Sequence, residues 1–138
     1  MMAWYWRGLS AAALLALTSV AEATHEVNHR YGVLGYVRDG AGRPVSGSQV
    51  RVTREKTGLV YRGRTDADGF YVVIAHLHDE DLLDPLQVTA GRTTVRIEAR
   101  FNPLNVRTER GTRIDFASNR AVEQPEMFAQ TLDEYLKR

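Results

Sequence analysis

The chain has 138 residues, 18 of them basic and 17 acidic, with 43% hydrophobic side chains and no cysteine. A formal net charge of +1, with both signs mixed along the chain, gives no reason to expect nucleic acid or an anionic membrane as partner. The length fits one domain, and the lack of cysteine excludes a disulfide scaffold, which for an exported domain suits a bacterial periplasm or envelope.

Residues 1–23 have the three-part form of a secretory signal. Arg7 supplies the positive charge, residues 9–20 (LSAAALLALTSV) are apolar, and Ala21-Glu22-Ala23 places small residues where a signal peptidase reads them. The apolar run is about 12 residues, short of the roughly 20 that cross a membrane, so export and cleavage are expected with no stable span left afterwards. An uncleaved anchor, helped by the interfacial trio Trp4-Tyr5-Trp6, is the alternative. Residues 24–30 (THEVNHR) are polar and read as a flexible lead-in.

From residue 31 the chain becomes a series of short β-branched and aromatic runs separated by turn residues, the texture of an all-β domain. Residues 31–38 read as the first strand, followed by a glycine-rich turn that ends at Pro44. Residues 49–54 (QVRVTR) alternate, which sends Val50 and Val52 to a core and Arg51 and Thr53 to water. Strands are expected at 59–65 and, after the Asp66-Ala67-Asp68-Gly69 turn, at 70–75. The charged segment 76–85 interrupts the pattern, and strands at 86–90 and 93–101 then pair across Gly91-Arg92. The β-domain is thus placed at 31–101, with 102–138 as a C-terminal extension holding one further possible strand at 112–116.

Residues 125–137 read as a helix, with proline in the first turn and basic residues at the end. Phe128, Leu132, Tyr135 and Leu136 form one apolar stripe at i, i+4, i+7 and i+8. So short a helix needs a surface to pack on, either its own sandwich or a protein partner.

Gly35-Tyr36-Val37, Asp39-Gly40, Gly42-Arg43-Pro44-Val45, Ser46 to Val52 and Thr65-Asp66-Ala67-Asp68-Gly69-Phe70-Tyr71 together resemble the carboxypeptidase regulatory-like domain. That resemblance implies a transthyretin-like or Ig-like β-sandwich of about seven strands, here followed by a short amphipathic helix. It also implies a non-catalytic binding or accessory role through protein or glycan contacts in the cell envelope. The same fold hosts hydroxyisourate hydrolases, whose Tyr-Arg-Gly-Ser ending lines the active site. Here Tyr61-Arg62-Gly63-Arg64 lies mid-chain and the C-terminus is Glu134-Tyr135-Leu136-Lys137-Arg138, which argues against that enzyme.

The titratable cluster of note is His76-Leu77-His78-Asp79-Glu80-Asp81. Histidines two apart on extended chain point the same way, so His76 and His78 could share a Cu²⁺ or Zn²⁺ ion, with Asp79 completing or orienting the set. His25 and His29 could add ligands from the lead-in, and a solvated loop is the plain alternative. No other cofactor is expected. Asp66-x-Asp68-Gly69 fails as a calcium loop, since Arg64 and Ala75 stand where acidic ligands are needed. Ser46 and Ser48 lack the strand-to-helix context of a nucleophile. Arg92, Arg96 and Arg100 share one face by even spacing, either to meet an anionic glycan or partner, or to keep an edge soluble.

Overall fold

The computed structural model describes residues 26–138, so the expectations for the signal and for His25 lie outside the described residues. Along β2 (Gln49–Arg54) Val50 and Val52 are fully buried while Gln49 and Arg51 are exposed, the alternation that seats one strand face on a core. The same logic holds for β5 (Pro85–Ala90), which buries Leu86, Val88 and Ala90, and for β4 (Phe70–His76), which turns Tyr71, Val73 and Ala75 inward. With β1 (Arg30–Arg38), β3 (Val60–Arg64), β6 (Thr93–Glu98), β7 (Gly111–Ala117) and β8 (Arg120–Glu123), they form two four-stranded sheets. The orders are β4-β1-β7-β8 and β3-β2-β5-β6, and the expected β-sandwich is the architecture found.

The sandwich does not end at residue 101. β7 pairs in parallel with β1, Gly32 opposite Gly111, and β8 pairs antiparallel with β7. The β4-β1-β7-β8 sheet therefore takes two of its four strands from residues beyond 101. Where β1 and β7 cross most closely, Gly35 leaves no room for a side chain: a Cβ there would lie 1.9 Å from the Ile114 carbonyl oxygen. The Asp115 carboxylate accepts the Tyr36 N–H at 3.0 Å at this interruption of the ladder. Tyr71 ties the core to the same place, its hydroxyl donating to the Ile114 carbonyl at 2.6 Å, and burial pushes its phenol well above the usual range. Tyr71→Phe is expected to cost about 1–2 kcal/mol in a urea titration, because a buried carbonyl loses its donor; an unchanged midpoint would mean water replaces the hydroxyl.

The C-terminal helix, α1 (Phe128–Leu136), follows a 3₁₀ turn at Pro125–Met127. Its stripe packs on its own domain. Gly32 and Gly111 lie opposite each other and leave a notch for the Phe128 ring; a Cβ on Gly111 would fall 2.5 Å from Phe128 Cε2. Phe128 joins Leu34 and Phe70 in a second apolar cluster on the outer side of this sheet, with Leu132 against it. Tyr135 meets Phe70 at a 4.9 Å ring separation. Of the two surfaces expected for the stripe, its own sandwich takes Phe128 and Leu132, while Tyr135 and Leu136 remain 40% and 70% exposed. Among the described residues no helix is long and apolar enough to cross a membrane.

Candidate functional site

His29, His76 and His78 meet at one end of the sandwich. Within the polar lead-in, a 3₁₀ turn at Val27–His29 leads into β1, and Arg30 pairs with His76 at the end of β4. The ladder runs one residue further, since the Leu77 N–H donates to the His29 carbonyl at 3.1 Å. Leu77 is buried in the core, so its neighbours His76 and His78 point outward on either side of it, and His29 sits across from that pair. The ring centroids are 4.7 Å apart for His76–His78, 4.6 Å for His29–His78 and 5.9 Å for His29–His76.

Two ion-pair networks hold this end in place. Arg110, its side chain 1% exposed, donates from Nη1 to Asp79 Oδ1 at 2.8 Å and to the Asn28 carbonyl at 3.3 Å. Asn28 precedes His29 and Asp79 follows His78, so one guanidinium links the two segments that carry these rings. Its Nη2 reaches the carbonyls of Pro103 and Asn105, and its plane lies 4.5 Å over the Phe101 ring. The second network is built on Arg54, which meets Asp81 at 3.1 Å and Asp84 at 2.8 Å, with Lys56 also on Asp84 at 2.8 Å. The other oxygen of Asp81 accepts the His78 backbone N–H at 2.8 Å.

Asp79, expected beside the histidines as a ligand, is instead held by Arg110. His29, read only as an auxiliary, belongs with the pair. The nearest carboxylate to His29 is Glu26, whose Oε2 is 4.0 Å from His29 Nε2. Burial, reinforced by the neighbouring charges of His78, His29 and Arg54, lowers the His76 pKa, while Asp81 opposes the shift. A depressed pKa keeps His76 neutral, the form that binds a metal. The rings pack edge to face, at 66°, 69° and 88°, and among the described residues no group of three or more His, Cys, Asp or Glu side chains is placed so as to hold a metal ion. Ring rotations are needed to turn three nitrogens to one point.

The stripe expected from Arg92, Arg96 and Arg100 is largely neutralised. Arg96 meets Glu55 at 2.8 Å, Arg100 meets Glu98 at 3.2 Å, and Arg92 lies in the turn before β6.

No family model matches the chain, and no curated protein matches it either. Among solved structures it is similar to the dioxygenase domain of a dioxygenase–carbohydrate-binding fusion from the cellulolytic bacterium Streptomyces sp. SirexAA-E. Identity is 20% and the TM-score 0.44, covering 70% of this chain and 83% of that one, which is too distant to bear on chemistry.

Proposed function

We propose that this chain is an exported, non-catalytic binding module whose site is the His29–His76–His78 cluster, and that its ligand is Cu²⁺ or Zn²⁺. One observation carries the reading: three imidazoles from two segments lie 4.6–5.9 Å apart between centroids. Three imidazoles bound tetrahedrally, with metal–nitrogen bonds of about 2.0–2.1 Å, place their centroids on the order of 5 Å apart. The ring separations are comparable to that spacing, and binding requires the edge-to-face rings to rearrange so that three nitrogens meet at one point. Imidazole suits copper and zinc among the first-row ions. Asp81 on the His78 backbone and Arg110 between the two segments fix the chain on which the rings stand.

Titrating Zn²⁺ or Cu²⁺ into protein comprising residues 24–138 tests the reading. Binding of one ion per chain is expected, weakened about 100-fold by replacing any one of His29, His76 or His78 with alanine. With Cu²⁺, nitrogen hyperfine structure in the electron paramagnetic resonance spectrum should report several imidazoles. Equal, weak binding by the parent and all three variants would end the proposal.

A further inference from the structure

A second surface lies on the other sheet, remote in kind from the histidine end. On the outer face of β3-β2-β5-β6, Arg51 stands directly opposite Arg62, and Gln49 opposite Arg64. The same rows continue into Thr89, across from Arg51, and Thr94, whose hydroxyl lies 2.8 Å from that of Thr89. Arg51, Arg62 and Arg64 are all exposed. Neither the Arg51 nor the Arg62 side chain forms an ion pair or hydrogen bond with any described residue, and the Arg64 side chain reaches only the Gly47 carbonyl, at 3.3 Å. The acids nearby are already matched, Glu55 with Arg96 and Glu98 with Arg100. Like charges directly opposite each other on neighbouring strands destabilise a sheet, so a near-neutral chain concentrates unbalanced positive charge on one patch.

We infer that this face binds a linear polysaccharide bearing carboxylate or sulfate groups. Guanidinium forks match such anions in pairs, and Gln49, Thr89 and Thr94 offer side chains suited to sugar hydroxyls. A shallow depression of about 210 Å³ lined by Ser48, Gln49, Arg51, Thr89 and Gly91 adjoins the arginines. The patch has no aromatic side chain on which nucleobases would stack, as a single-stranded nucleic acid prefers.

The test measures binding to polygalacturonate, heparin, neutral dextran and an oligothymidylate, in EDTA so that the histidine site plays no part. Polygalacturonate or heparin should bind in a salt-sensitive manner and dextran should not. The Arg51→Gln/Arg62→Gln double variant should bind at least 10-fold more weakly while melting no lower than the parent, because a repulsive pair has been removed. An Arg107→Gln/Arg120→Gln variant, with the same loss of charge elsewhere, should bind as the parent does. Equal loss in both double variants, binding of the oligothymidylate alone, or no binding at all would each overturn the inference.

Discussion

Replacing Arg110 by methionine is expected to lower the unfolding free energy by about 2–3 kcal/mol, the half-exposed Asp79 regaining water, and to weaken the proposed Zn²⁺ binding, although no Arg110 atom would be a ligand. Methionine fills much of the volume, so the loss comes from the donors. The Asp79 carboxylate and the carbonyls of Asn28, Pro103 and Asn105 all depend on this one buried guanidinium. Hydrogen bonds to a charged group are each worth about 1.5–3 kcal/mol, and the freed carbonyls regain water only in part. The effect on Zn²⁺ follows from geometry, because Arg110 links the residue before His29 to the residue after His78. Arg110→Lys preserves the charge but not the fork, and is expected to recover more stability than Zn²⁺ affinity. Urea unfolding and Zn²⁺ titration at a temperature where all three proteins are folded would check this. Unchanged affinity in a destabilised Arg110→Met protein would limit Arg110 to a structural part.

Asp84 is expected to make stability depend on pH. Its side chain is 2% exposed, and burial alone would raise its pKa; Lys56 and Arg54 overcome that and hold it below the ordinary value. A carboxylate whose pKa is lower in the folded than in the unfolded chain stabilises the fold above its unfolded value, about 3.9. That contribution disappears as pH falls through the lower folded value. Asp84→Ala should cost about 3 kcal/mol at pH 7, since it leaves Arg54 only 12% exposed and without its nearer partner. The gap between parent and variant should hold from pH 7 to about 5 and narrow below about pH 4, as protonation removes in the parent what the substitution removes in the variant. Urea midpoints across that range provide the measurement, and a gap independent of pH would place the cost in packing instead.

The sheets were largely legible because their signals are local. The alternation of 49–54 recovered β2 with its faces correct, and the glycine turns before 49 and 70 marked where β2 and β4 begin. β7 was visible as a strand but not as a member of the central sheet, since only its long-range pairing with β1 reveals that. β8 offers four residues, with no buried position among them, so no period of two stands out. At the site, the outward pairing of His76 and His78 followed from spacing. The place of His29 depends on the Leu77-to-His29 hydrogen bond, and the diversion of Asp79 depends on an arginine far along the chain. Neither leaves a trace in neighbouring residues. The helix stripe was correctly drawn, but what it faces is set by two glycines on separate strands.

The parallel pairing of β1 with β7 also dictates an order of assembly. β1 is among the first parts of the domain to be made, yet one of its two edges has no partner until residues 111–117 follow. During that interval an apolar strand with free N–H and C=O groups is open to pairing with other chains. Closing the sheet then brings together segments far apart in the chain, which slows folding. A chain cut between residues 101 and 111 would keep that edge of β1 unpaired, and is expected to aggregate more readily than the full chain.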